Sequence, residues 1–224
     1  MTISNTARRR LLAAIPAEQT VSADEADFIK QAQAALGVKA DGIAGQKTLS
    51  AAWLMSPPQA AEVVARAQAA LSWPRLTYSM TRNTGLGERW LPDPDDAPAT
   101  GDCSDFVAHC LAMPKDQTQG LSLPLVRRQV WLGADALGTD AIGSPWSLTE
   151  AQPGDIVVYQ GRWERGERVS IGHVEICVDV DVDAGKIWTV GCASGNRPGA
   201  IARADKTALW RRKGASVIRP RWYS

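Results

Sequence analysis

The stretch Gly101-Asp102-Cys103-Ser104-Asp105-Phe106-Val107-Ala108-His109-Cys110 decides how this chain is read. Phe106, Val107, Cys110 and Leu111 recur at the spacing of one apolar helix face, so a helix is expected to run on from Cys103. Asp102 has the short acceptor side chain of an N-cap, and Ser104 and Asp105 make a polar first turn. Cys103 then stands at the positive end of the helix macrodipole, which favours thiolate over thiol. A thiol so placed needs only a base to become a nucleophile. Cys110, on the same face farther along, reads as a core residue.

Downstream, the texture changes to strands. Pro153-Gly154-Asp155 is a turn, and Ile156-Val157-Val158-Tyr159 a strand. Gly161 to Gly166 forms a charged hairpin tip. Residues Gly172 to Val182 alternate strictly, which puts valine and isoleucine on one face and His173, Glu175, Cys177 and the aspartates on the other. Asp183-Ala184-Gly185-Lys186 turns the chain into Ile187 to Cys192, and Ser216 to Arg219 is a last strand. Between helix and strands, a short helix is expected near Leu125 to Leu132. Helices first and strands after predict an α+β fold.

The base has two candidates, because the chain holds two histidines. His109 lies more than one and a half turns beyond Cys103 on a different helix face, so it reads as a surface or packing residue. His173 follows a glycine at the start of the alternating strand, on its polar face. A Cys–His pair attacks carbonyl carbon, with the imidazole acting first as base and then as acid to the leaving amine. A third group should orient the ring. If the hairpin closes at Ala184-Gly185, Cys192 stands opposite Cys177, Ser194 opposite Glu175 and Asn196 opposite His173. Cys192, Ser194, Asn196 and Glu175 all remain open for that role. The backbone N–H of Cys103 is the natural start of an oxyanion site.

Composition narrows the functional classes. Lys plus Arg number 25 against 24 Asp plus Glu, so no polyanion-binding surface is announced, and Arg8-Arg9-Arg10 reads as a solvated terminus rather than a nucleic-acid arm. No apolar run reaches the roughly 18 residues that a membrane-spanning helix needs. The apolar run after the arginines is too short for a signal peptide, so the expectation is synthesis in the cytoplasm. Four cysteines in 224 residues do not make a disulfide scaffold. His173-x3-Cys177 has a zinc-like spacing, but Cys103 and Cys110 are too far apart for a tight ligand pair, so no metal or other cofactor is expected.

Toward the N-terminus, Phe28, Ala32, Ala35 and Leu36 define a helix over Asp27 to Leu36, stopped by Gly37. A two-glycine loop leads to a second helix from about Thr48, its expected cap, to Met55. Gln33, Leu36, Gly37, Asp41, Gly42, Gly45 and Thr48 resemble the Gln-x-x-Leu-Gly and Asp-Gly-x-x-Gly-x-x-Thr hallmarks of the helical peptidoglycan-binding module. Pro57-Pro58 ends that unit, dividing the chain into a helical module over 1–56 and a second domain over 57–224, which opens with an alanine-rich helix from Gln59 to Leu71. The proline-rich stretch from Trp73 to Thr100 reads as a surface loop.

Three blocks of the second domain, Asp102-Cys103-Ser104-Asp105-Phe106-Val107, Gln152 to Tyr159, and Gly172-His173-Val174-Glu175-Ile176, together resemble the NlpC/P60 family of papain-like cysteine peptidases. The family's pattern is Asp-Cys-Ser-Gly-Phe, Pro-Gly-Asp-Leu and His-Val-Gly-Ile. The resemblance implies a papain-like fold and cleavage of peptidoglycan stem peptides. It makes Cys103 the nucleophile, His173 the base, Cys192 the occupant of the third catalytic position, and Asp102, Ser104 and Tyr78 substrate-binding residues. The chain departs from the pattern at Asp105 and Glu175, which replace glycines, and at Cys192, which replaces an imidazole-orienting histidine.

The expected function is therefore a peptidoglycan hydrolase, an endopeptidase or amidase working by Cys–His chemistry. A wall-binding unit beside a wall hydrolase suits a phage lysin released through a holin, or an exported antibacterial toxin whose immunity partner is unidentified. Either would act in the periplasm or cell wall. The alternative is a catalytically inactive wall-binding or phage structural protein. An acyltransferase of the same superfamily would carry histidine before cysteine, the reverse of the order here.

Overall fold

The computed structural model describes residues 5–55, 57–72, 77–78, 100–112, 143–159, 163–164, 167–168, 173–193, 200–208, 215–220 and 222–223. The helix expected near Leu125 and most of the Trp73 to Thr100 loop lie outside these residues, as do Ser194 and Asn196. Among them the architecture is α+β. Four helices precede the site: α1 Asn5–Ala14, α2 Glu25–Ala35, α3 Gln46–Met55 and α4 Ala60–Ala69, the last extended by a 3₁₀ turn over Ala70–Ser72. Two short strands, β1 Thr77–Tyr78 and β2 Thr100–Gly101, pair in parallel and lead into α5, Cys103–Cys110.

The remaining long strands form one antiparallel sheet. In chain order they are β3 Gly143–Trp146, β4 Ile156–Tyr159, β7 His173–Asp181, β8 Lys186–Cys192, β9 Ile201–Asp205 and β10 Ser216–Pro220. Across the sheet the order is β3-β10-β4-β7-β8-β9. Trp163–Glu164 (β5) and Glu167–Arg168 (β6) pair as a small separate hairpin, where a charged tip was expected.

α5 packs on the middle of the sheet. Phe106, Val107, Cys110 and Leu111 are fully buried against Val158, Val174, Ile176 and Val190, joined by Val63 and Ala67 of α4. Each such large side chain contributes about 1.5–3 kcal/mol by leaving water. The sequence predicts a polar, solvated second face for β7, but both faces of its first six residues are buried. Cys177 packs there with Leu148, Val157, Tyr159, Ile187 and Val217 in a second core cluster. His173 and Glu175, which share that parity, are therefore enclosed rather than washed by solvent.

The Pro-Gly-Asp turn proves to be a structural pin. Gly154 takes φ +98, and its amide donates to the carbonyl of Cys177 at 2.8 Å while Asp155 accepts from Cys177 N at 2.9 Å. A Cβ at position 154 would lie 2.7 Å from that of Ala60, so only glycine lets α4 approach. The buried Asp155 carboxylate is held by both sides of the Arg219 fork, at 3.0 and 2.9 Å, tying β10 to the start of β4.

The N-terminal helices have their own small core of Leu11, Phe28, Ile29, Ala32, Leu49 and Ala52. The loop between α2 and α3 is organised by buried Gln33. Its amide donates to Asp41 Oδ1 (2.8 Å), Ile43 O (3.0 Å) and Thr48 Oγ1 (3.0 Å), and its Oε1 accepts from Gly42 N at 2.9 Å. Thr48 is thus not the cap of α3, which starts two residues earlier. Its hydroxyl is drawn inward by Gln33 instead.

Candidate active site

Local sequence builds the nucleophile position. Asp102 has extended backbone angles, and its Oδ1 accepts from Asp105 N at 2.8 Å and from the Ser104 hydroxyl at 2.7 Å. Asp105 Oδ2 reaches back to the Asp102 N–H at 3.3 Å, completing a capping box. Asp105, a departure from the family pattern, is therefore a structural cap whose carboxylate points back along the chain. The first ladder bond of α5 is Phe106 N to Asp102 O, so the amide of Cys103 precedes the helical ladder.

His173 opens β7 directly opposite Tyr159 of β4. The two rings meet edge to face with centroids 5.2 Å apart. Burial works against an imidazolium here, but hydrogen bonding and charge from Cys103 and Glu175 outweigh it, so the ring's pKa is raised to about 9. Cys103 thus faces the ring closely enough to act on it. Cys103 and His173, 70 residues apart in the chain, are brought together by packing α5 on β7.

His173 Nε2 lies 3.1 Å from Glu175 Oε1. The same oxygen accepts from Tyr159 OH at 2.7 Å and is 3.1 Å from Lys206 Nζ, while Oε2 accepts from the Thr189 hydroxyl. Lys206 also donates to Tyr159 OH at 3.0 Å. Burial opposes ionisation of Glu175, yet the bonds from His173 and Thr189 and the charge of Lys206 prevail and hold its pKa down at about 2. Space for the carboxylate comes from Gly191, where a Cβ would sit 2.7 Å from Glu175 Cδ and 2.8 Å from Oε1.

Cys192, expected in the third position, does not take it up. Its thiol donates to the carbonyl of Gly101 at 3.5 Å, and burial, with the nearby Asp102 and Cys103, pushes its pKa up to about 12. The expected hairpin register is also wrong. The turn closes with Asp181 opposite Lys186, and a bulge between Cys177 and Asp179 shifts the ladder so that Cys177 faces Thr189 rather than Cys192. The slip brings Thr189 and Gly191 to Glu175.

Tyr78, which the resemblance makes a substrate-binding residue, lies on β1. Its pairing with Gly101 sets it beside the helix start, half-buried, with its pKa raised by burial and by Cys103, Asp102 and Cys192. Ser104 is buried with its hydroxyl on Asp102. His109 is buried, its backbone carbonyl accepting from Arg66 Nε at 3.0 Å, which is the packing role expected of it.

Comparison of the chain with family models, with curated proteins and with solved structures finds no match. What can be said of its activity rests on the site itself. The strand alternation that singled out His173 also carried Glu175, two residues on and on the same face. Tyr159 was readable only as a strand end, and no pattern in the sequence marked Lys206 or Gly191.

Proposed function

We propose that this chain is a cysteine peptidase or amidase of papain-like, NlpC/P60 type that cleaves the stem peptides of peptidoglycan. The single observation that carries the reading is a thiol on the first turn of a capped helix, facing an imidazole that is itself held by a buried carboxylate. In the reaction His173 takes the Cys103 proton, and the sulfur attacks the carbonyl carbon of the amide. The carbonyl oxygen gains the negative charge and is met by the Cys103 amide at the helix start. Collapse breaks the C–N bond, the imidazolium proton leaves on the amine, and a thioester remains on Cys103. Water, deprotonated by His173, then hydrolyses it and regenerates the thiol.

By the resemblance, Tyr78, Asp102 and Ser104 are the groups that would meet the substrate beside the scissile bond. The choice of peptidoglycan rests on the resemblance in both parts of the chain. It implies action in the wall or periplasm, as a lysin or an exported toxin, and no cofactor is needed for any step. Of the three departures that favour an inactive relative, Asp105, Glu175 and Cys192, the first two have bonding partners of their own other than the Cys103 thiol. The test is digestion of purified peptidoglycan by the wild type and by Cys103→Ala, with mass spectrometry of the released fragments. New peptide termini are expected from the wild type and only background from the variant. Equal release from both would overturn the assignment.

A further inference from the structure

We propose that Glu175 is the positioning residue of the Cys103–His173 pair, fixed by Tyr159, Thr189 and Lys206, so that the third position is filled from the base's own strand. The inference rests on the reading of Cys103 and His173 as nucleophile and base. Its support is geometric. Glu175 Oε1 lies 3.1 Å from His173 Nε2, whereas the Cys192 thiol is spent on Gly101 O. With Nε2 turned to the carboxylate, Nδ1 is the ring nitrogen left for the thiol, so one contact sets both tautomer and orientation.

A buried carboxylate is costly unless its oxygens are satisfied. Here four groups from three further parts of the fold converge on it. Tyr159 comes from β4, Thr189 from β8, Lys206 from just after β9, and His173 from β7 itself. Cys103 of α5 also acts on His173, with Asp102, Tyr78 and Cys192 near that thiol. Lys206 supplies a second cation to the carboxylate, so Glu175 stays ionised even while the imidazole is neutral during acyl-enzyme hydrolysis. Gly191 is the matching vacancy on the next strand, since any side chain there would displace the carboxylate. A glutamate replaces the family's glycine on one strand, and a glycine opposite makes room for it.

The test compares wild type, Glu175→Gln and Glu175→Asp by two readouts: NMR titration of the two histidines, and the pH dependence of kcat and KM on peptidoglycan. In the wild type His173 is expected to titrate near 9. Glu175→Gln is expected to move that midpoint down part of the way, Cys103 still raising it, and to lower kcat about 100-fold with KM little changed, the low end of what positioned proton transfer contributes. Glu175→Asp is expected to recover part of both. A merely structural carboxylate predicts the opposite order, because Gln keeps the volume and Asp does not. A wild-type His173 midpoint near 6.5, or a midpoint unchanged by Glu175→Gln, would overturn the proposal, and the wild-type titration decides even if the variants do not fold. Normal titration shifts without any peptidoglycan cleavage would instead remove the substrate assignment and leave Glu175 in place.

Discussion

The His173–Glu175 pair makes stability depend on pH in a way that can be signed residue by residue. The imidazole's pKa is raised to about 9, so its contribution is complete below its ordinary 6.5 and is lost as pH rises through 9. The carboxyl's is lowered to about 2, so its contribution is present above 4.5 and is lost as pH falls through 2. The difference in melting temperature between wild type and Glu175→Gln is therefore expected to be greatest between pH 4.5 and 6.5 and to shrink toward both limits. A difference that stays flat all the way from pH 2 to pH 9 would contradict the pairing. At this scale the sequence showed the thiol and the base, because capping chemistry and period-2 alternation are local signals. It left the third residue open, because Glu175 on the same strand and three residues across the hairpin were equal candidates until the Cys192 thiol was seen to bond Gly101 O and the Glu175 carboxylate to meet the ring.

Elements were recovered where the apolar period was strong. The Cys103 helix, the strand from Ile156 and the strands on either side of the Gly185 turn all stand close to where the pattern puts them. The strands at Gly143 and Ile201 were not readable, since the first carries a proline and the second alternates small and charged residues. The glycine loop between α2 and α3 shows a motif whose residues bond to one another. Gln33, Asp41, Gly42 and Thr48 close a network around one buried amide, with Gly42 at φ +76. Gln33→Ala is expected to destabilise the chain by about 1–3 kcal/mol, the cost of stranding buried partners, as a lower denaturant midpoint. No change would show that the loop is held by something else.

For the molecule as a whole, side chains from both sides of the Pro57-Pro58 boundary share contacts. Trp53 of α3 is fully buried in the core of the sheet and α5, donates its indole N–H to Leu111 O at 3.0 Å, and meets Trp222 edge to face at 4.8 Å. Arg10 of α1 reaches Glu62 of α4 at 3.5 Å across the same boundary. A pattern of helical periods cannot reveal this, because Trp53 looks the same whether it faces its own helices or the sheet. The same fold separates its four thiols. Cys110 sits in the core, with its pKa raised by burial, and burial with nearby carboxylates lifts Cys177 to about 12, as the Gly101 niche does Cys192. Of the four, Cys103 is the one that acts on the His173 imidazole. The most direct test of the account is iodoacetamide labelling of the intact chain at neutral pH, with peptide mass mapping of every cysteine in wild type and in His173→Ala. The account predicts fast, selective alkylation of Cys103 in the wild type and a large loss of that rate without His173. Cys103 labelled no faster than the other three, or equally fast in the variant, would contradict it.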